Sequence, residues 1–488
     1  MPKDICIIGA GLAGGIAAQK LVQAGHKVTL VEMGDQPEYI EPEDEEWRFD
    51  KPKVAFTRGQ GFGGTSNFWH GGLTCLDDSD VAGLSSLFNE PKYPISKDEL
   101  NQYYRQAIEI LRGDCKFDFE DILRNPQPTD NGFEINSELF KYKGLIYPRN
   151  AYSSSKAIHQ AASEYGLKLI KNFTVSQINI DDIGVAQDIE GCHRIDGREY
   201  TKKIKADYFI LAAGGIGSPK ILLKSIHNQP KLRNLPVGSF ITDHPTGFVF
   251  KAKLKERLSL KNLFAQPGQG YRTQFGFTLQ PDQLAHSNYQ NHILYLRPAI
   301  TMKDPLLYDN LKRKLVAYKG QNIGLTDIFY LFKHVDLLYE AVNFRFGLFN
   351  TTRCVSGLIF LEQLPNLEDN ITLQGHDRFS VNWKISQNDG VSAVKFLEKY
   401  FKAHGNIFDE FQIFPNISGR LESSGHHSGG CRMSSSPETG VVDANLKVFN
   451  TENLYVADGS TLPYTGHANT GLSIAAMAIK CSDSLNSA

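Results

Sequence analysis

Residue types able to do chemistry cluster near the C-terminus. Ser424-Gly-His426-His427-Ser-Gly429-Gly430-Cys431-Arg432-Met433 is followed by Asp458-Gly459-Ser460 and then by Gly466-His467-Ala-Asn469-Thr470-Gly471-Leu472. An imidazole titrates near neutrality, so a histidine here is suited to take a proton from a reacting hydroxyl. The Asn469 amide can hydrogen-bond an oxygen atom and fix its orientation. A second cluster opens the chain. Gly9-Ala-Gly11-Leu12-Ala13-Gly14 stands between the run Asp4–Ile8 and an apolar helix ending at Gly25, and Lys27–Glu32 follows. Gly9 makes the tight turn, Gly11 lets backbone approach a pyrophosphate, and Gly14 lets helix pack on strand. The unpaired amides of the helix N-terminus then hold the phosphate charge. Glu32, 18 residues past Gly14, is placed to accept hydrogen bonds from a ribose, and an acid there favours a free 2′-hydroxyl. The flanking strands and the terminal acid make this a dinucleotide site and leave open which dinucleotide it takes.

These residues need a scaffold, and the rest of the chain supplies its signals. Asp207-Tyr-Phe-Ile-Leu211-Ala212-Ala213-Gly214-Gly215-Ile-Gly217-Ser-Pro219 leads into an apolar helix through Leu223, a second strand–turn–helix unit of the doubly wound kind. Gly59 to Gly72 carries too many glycines for a helix or strand interior and suits backbone lying flat against a ligand. Acidic residues crowd Glu38 to Asp50, a solvated loop, with a lid over a cofactor as the alternative. Apolar spacing predicts helices over 97–112 and 155–166, and alternation over 168–180 and 193–205 predicts a small β-meander. From 246 to 425, aromatic-rich segments at Phe248–Leu254, Tyr271–Leu279, His292–Ile300, Ser356–Leu361 and Ile371–Leu373 predict an antiparallel sheet. An aromatic helical stretch at 325–346 interrupts it, packed into the body or offered to a membrane or partner protein.

Composition narrows the function classes. With 488 residues and 41% hydrophobic content, the chain can bury a large core in two or three domains. A net charge of −2 without a long basic run argues against nucleic acid as a partner. The seven cysteines show neither close pairs nor metal-type spacing, so they are read as thiols in a reducing compartment, and no metal is expected. The first strand begins at residue 4, leaving no room for a signal peptide, and no apolar run spans a bilayer. A soluble cytoplasmic protein is expected.

The motifs together resemble the glucose–methanol–choline (GMC) oxidoreductase family of FAD-dependent alcohol oxidases and dehydrogenases. The resemblance is carried, in family order, by Gly9–Gly14, by Gly63-Gly64-Thr65-Ser66, by Tyr93-Pro-Ile-Ser-Lys-Asp-Glu-Leu100 and by Leu211–Pro219. It continues through Asp243-His244-Pro245, His426–Met433 and Asp458–Leu472. It implies a proton taken from the substrate hydroxyl by His426 and a hydride passed from carbon to flavin N5. Asn469 matches the family's second active-site position, with His467 as the alternative in another alignment. The implied FAD contacts are Gly9, Gly11, Leu12, Ala13, Gly14, Glu32, Met33, Gly63, Gly64, Thr65, Ser66, Asn67, Phe68, Trp69 and Val175. Ala212, Ala213, Gly214, Asp458, Gly459, Asn469, Thr470 and Gly471 complete that set. Asp458 would accept sugar hydroxyls of the cofactor, and the amides opening the final helix (474–482) would face the flavin pyrimidine.

Some relatives attach FAD to a histidine just after the Gly-Gly-x-Ser turn. Here that position is Phe68, with Asn67 and Trp69 beside it and His70 nearby, so FAD is expected to be non-covalent. Those side chains either shape the pocket or cover the cofactor. Gly429-Gly430-Cys431 stands where many relatives have Gly-Thr, and Cys431 is read as structural rather than as a redox thiol.

The expected fold class is α/β. A Rossmann-like FAD domain is assembled from residues 1–90, 151–245 and 426–488. A cap segment at 91–150 and a substrate domain at 246–425, mainly antiparallel sheet with helices, complete it. The expected substrate is a small-molecule alcohol, best a sugar, polyol or sugar-containing biosynthetic intermediate, with oxygen, a quinone or a carrier protein accepting the electrons. Rival readings are a nicotinamide-dependent reductase, which leaves the histidine block unexplained, and a flavoprotein of this fold in a structural, lyase or isomerase role.

Overall fold

The computed structural model describes residues 1–48, 57–82, 93–124, 135–227, 229–258, 270–285, 289–299 and 352–487, with a few isolated positions between them. The aromatic stretch at 325–346 lies outside the described residues, apart from Val335.

The opening strand, Asp4–Ile8, has four of its five residues buried and pairs in parallel on both edges, with Lys27–Val31 and with Tyr208–Leu211. Lys168–Ile170 adds beyond the first neighbour and Leu454–Val456 beyond the second, giving a five-stranded parallel sheet. Parallel neighbours need crossovers. Helices Leu12–Gln23 and Gly214–Ile226 follow their strands through the two glycine turns. The C-terminal helix, Gly471–Ser487, packs against Leu12–Gln23 and against Lys97–Leu111. The last of these starts on Ser96, whose side chain accepts the amide of Glu99.

Residues 168–180 do not form one strand. Asn172 takes φ 55°, which breaks the run and sends Lys168–Ile170 into the parallel sheet. Phe173–Ile180, Ala186–Ile195 and Arg198–Lys205 then form the meander, closed by an Asp196-Gly197 turn with both residues at positive φ. The acidic stretch is a correction too. Glu38–Tyr39 and Glu45–Trp47 are short strands, and Glu45 is buried rather than solvated.

The second sheet is antiparallel and seven-stranded, and Thr246–Leu258, Tyr271–Leu279, Ile293–Ala299 and Thr352–Phe360 carry most of it. Phe140–Pro148 pairs along the full length of Tyr271–Leu279, so a piece of the cap segment is built into this sheet. Ile371 and Leu373 leave it. Asn370–Gln374 forms a separate small sheet with Arg378–Asn382 and Glu45–Trp47. An unforeseen helix, Gln387–His404, covers the antiparallel sheet. A Ser386–Asp389 capping box starts it, and Phe396, Tyr400 and Phe401 bury against Phe140 and Phe250.

Two glycines show why the nucleotide turn admits little else. A Cβ on Gly14 would stand 1.9 Å from the Gly9 carbonyl oxygen, whereas one on Gly11 would meet nothing within 4 Å. Gly14→Val should therefore cost ~1–3 kcal/mol and lower the melting temperature by several degrees. Gly11→Ala should leave it unchanged, and thermal unfolding of the two variants checks the contrast.

Candidate active site

A cavity of about 2330 Å³ runs from the first glycine turn, past the ends of the parallel strands, to the antiparallel sheet. Gly9, Gly11, Leu12, Ala13, Glu32 and Met33 line one end, and Gly64, Thr65, Ser66, Phe68, Trp69, Val175, Ala212, Ala213 and Gly214 follow. Asp458, Gly459, His426, Asn469, Thr470 and Gly471 lie on the same wall. Three expected contacts do not line it. Gly14 is a packing glycine. Gly63 is an inner turn residue, and Asn67 ties the loop by donating to the carbonyls of Phe62 (3.0 Å) and Gly64 (3.1 Å).

At the nucleotide end the Glu32 carboxylate accepts the amides of Ala10 (2.9 Å), Gly61 (3.0 Å) and Gly34 (3.2 Å). Burial raises its pKa, and these amides oppose the rise. One carboxylate thus joins three loops, and it also lines the cavity. Asp458 is held on every side by donors of the protein. Its oxygens accept from the Gly214 amide (2.8 Å), the Ser218 hydroxyl, and the amide (2.9 Å) and hydroxyl (2.6 Å) of Ser460. These four donors fix Asp458 against the second glycine turn, and the residue also lines the cavity.

Further along, Phe68 stacks on Tyr39 at 4.1 Å between centroids, and Trp69 lies against the start of the final helix, where a Gly471 Cβ would meet its ring at 2.6 Å. Glu45 takes Arg58 at 2.6 Å and Lys220 at 2.8 Å. Burial alone would raise its pKa, but the two cations outweigh that and hold it down at about 2.

The two adjacent histidines separate by environment. His427 is buried with its ring between Trp47 and Trp383, both at 6.4 Å, and its carbonyl packs over Gly215 and Gly459. Burial and the Arg58 charge push its pKa down to about 3. His426 reaches the cavity, and its Nδ1 hydrogen-bonds His244 Nε2. Burial lowers His426 to about 4, Asp243 partly opposing and His427 adding to the shift, so the ring is neutral at physiological pH and able to accept a proton. Asn469 lines the cavity with its Oδ1 buried and unpartnered. Across from them stand Tyr147, Gln274, Arg297, Leu358 and Phe360 of the antiparallel sheet. Cys431 is buried, which pushes its thiol well above the usual range and fits a packing role.

His467 lies behind this wall, with Nδ1 2.8 Å from the Asn291 carbonyl and Nε2 3.8 Å from Asp77. Asp77 bonds Lys143 (2.8 Å) and the Asn291 amide (2.9 Å), which also reaches Asp80 at 3.1 Å. Glu362 accepts the Asn291 backbone amide at 2.6 Å. Burial and the neighbouring acids push Asp80 up to about 7 and Glu362 up to about 8. This buried network ties the Asn469 loop to the antiparallel sheet. Sequence reasoning missed it because its members lie in five separate segments.

The residues present fit FAD: a helix N-terminus with a glycine open to the cavity, an acid lining the cavity just past the second strand, and a continuous channel ending at a neutral imidazole. Among the described residues, no helix is long and apolar enough to cross a membrane.

Comparison with known proteins agrees with this layout. A family model described as GMC oxidoreductase matches residues 371–478, and one described as an NAD(P)-binding Rossmann-like domain matches residues 7–61. The chain is 39% identical to 6'''-hydroxyparomomycin C oxidase of Streptomyces lividus, covering 99% of this chain and 91% of that protein. It is 38% identical to paromamine 6'-oxidase of Streptomyces fradiae, covering 98% and 90%. Pyridoxine 4-oxidase from Mesorbium loti has the same fold, with a TM-score of 0.57 at 16% identity over 99% of this chain and 98% of that one.

Glu362 has a raised pKa, so it favours the folded state below about pH 4.5, and that contribution is lost as pH rises through about 8. The melting temperature of Glu362→Gln minus that of the wild type should therefore increase between pH 5.5 and 8.5. A difference that stays flat across that range would contradict the burial of a protonated Glu362.

Proposed function

The chain belongs to the GMC oxidoreductase family and oxidises a CH–OH group with FAD, and we propose that the group sits on a sugar, a polyol or a sugar-containing biosynthetic intermediate. The observation that carries the reading is the meeting of His426 and Asn469 on the wall of the cavity that begins at the dinucleotide turn. Within the sugar class an amino-sugar glycoside is favoured, because two relatives of about this identity over nearly the whole chain are named for oxidising paromamine and a paromomycin derivative.

FAD would lie along the cavity, with its pyrophosphate at the amides of Gly11 to Ala13 and its ribose beside Glu32. When bound, it supplies the acceptor for the hydride. His426 takes the hydroxyl proton on Nε2, since Nδ1 is engaged by His244. The unpartnered Asn469 Oδ1 and the amide beside it orient the substrate oxygen. Tyr147, Phe360 and Gln274 close the far wall against water. Phe68 at the attachment position supports non-covalent FAD. The division at 1–90, 151–245 and 426–488 against 91–150 and 246–425 is supported by the strands of the parallel sheet, all of which come from the first set.

The test is anaerobic reduction of the purified flavoprotein by a panel of sugars, polyols and amino sugars. Bleaching near ~450 nm by one class is expected, together with flavin that leaves the protein on acid precipitation. His426→Ala should slow bleaching by ~10²- to 10⁴-fold. A flavin that no member of the panel reduces would overturn the substrate reading, and retention of flavin in the precipitate would overturn non-covalent binding.

A further inference from the structure

His244, of the Asp243-His244-Pro245 motif, hydrogen-bonds His426 through its Nε2. It is fully buried, and its ring stacks on Phe360 at 5.4 Å between centroids. Asp243 fixes both histidines from the backbone side. Its Oδ1 accepts the amide of His244 at 2.7 Å and that of His426 at 3.2 Å, while Oδ2 accepts the Ser423 hydroxyl. Thr242 and Ser428 clamp the two segments with backbone bonds of 3.0 and 2.9 Å and a hydroxyl contact of 2.7 Å. The imidazole pair is thus held from both segments, and its geometry does not depend on a flexible side chain finding its partner.

A neutral imidazole carries one proton, so the pair has two arrangements. If His244 Nε2 donates, His426 carries its proton on Nε2 and cannot take another there. If His426 Nδ1 donates, Nε2 keeps its lone pair. Once His426 is an imidazolium both of its nitrogens donate, and the one at Nδ1 needs an acceptor in a buried site. His244 Nε2 is the only acceptor that the described residues bring to Nδ1.

We propose that His244 is a positioning residue for His426: it accepts the Nδ1 proton, turns Nε2 toward the cavity with its lone pair free, and stabilises the imidazolium that forms. The inference rests on the reading of His426 as the base. The substrate O–H bond breaks and an Nε2–H bond forms on His426. The Nδ1 proton stays on His426 in its bond to His244, whose own proton sits on its buried, unpartnered Nδ1, and no proton need pass further. The other titratable groups facing the pair are Asp243, which favours the imidazolium, and His427 and His467, whose charges would oppose protonation of His426 and His244 respectively.

Ligand-type atoms of Asp243, His244 and His426 also lie within 4.8 Å of one another, a spacing that one cation could bridge. The two imidazole nitrogens are instead bonded to each other, and the Asp243 oxygens are taken by Ser423 and two backbone amides. Metal binding is therefore an outcome of the test rather than the proposal.

The test uses the full-length, flavin-loaded enzyme and two readouts. His244→Phe keeps a ring against Phe360 and removes the acceptor, and His244→Gln restores an amide oxygen. With the alcohol that bleaches the wild type, His244→Phe should slow flavin reduction ~10- to 100-fold with half-saturation little changed. The acid limb of the rate should move to lower pH, because the unpartnered imidazolium forms less readily, and His244→Gln should recover most of both. In ¹⁵N-histidine NMR of the resting enzyme, His426 should carry its proton on Nδ1 in the wild type and become a tautomeric mixture in His244→Phe. A His426 protonated on Nε2 in the wild type would overturn the proposal. So would a rate loss without movement of the acid limb, or activity abolished by a chelator and restored by zinc. If no alcohol bleaches the wild type, the base reading has failed, and the NMR tautomer still decides the pairing.

Discussion

The parallel pairing of Asp4–Ile8 on both of its edges is the constraint on which the site depends. The Gly9 amide donates to the Val31 carbonyl, the Ala212 amide to that of Ile8, and the Ala457 amide to that of Leu211, at 2.8, 2.8 and 2.9 Å. These bonds bring four strand ends to one level, so that Gly9, Glu32, Ala213 and Asp458 border one cavity although they span most of the chain. Glu32 and Asp458 then reinforce what the ladder begins, since each carboxylate gathers donors from loops that share no sequence neighbourhood.

At the other end the governing effect is burial of imidazoles. His426 and His467 fall to about 4, and His427 and His292 to about 3, because a charged ring loses more hydration than its neighbours replace. A neutral His426 is a competent proton acceptor at physiological pH. The four together also bind protons in the unfolded chain before the folded one, so they weaken the fold as pH drops from about 6.5 toward 4. The raised carboxyls of Asp80 and Glu362 act in the opposite sense at higher pH. The neutral His426 ring at the cavity wall and the pH dependence of the fold share one cause.

Local signals in the sequence made the nucleotide half legible. Both glycine turns, their helices and three strands of the parallel sheet follow from hydrophobic runs next to glycines with fixed steric jobs. Lys168–Ile170 was missed because only the positive φ of Asn172 separates it from the meander. The helix Gln387–His404 went unread although its Ser386–Asp389 cap and the spacing of Ala393, Leu397 and Phe401 were available in the sequence. The site divides in the same way. Motif order pointed to His426 and Asn469, whereas the donors that hold Asp458, the outward turn of Asn67 and the buried network around Asp77 depend on contacts across hundreds of residues. Glu45 illustrates the limit: its acidic neighbourhood reads as solvent, and only Arg58 and Lys220 arriving from elsewhere bury it.

A crystal structure of the flavin-loaded protein tests the central claim most directly. The expected result has the pyrophosphate on the amides after Gly11 and the flavin ring between Trp69 and the wall formed by His426 and Asn469. His426 Nε2 would face the ring and Nδ1 would remain bonded to His244. A flavin ring seated away from His426, or a His426 turned so that Nε2 faces His244, would contradict it.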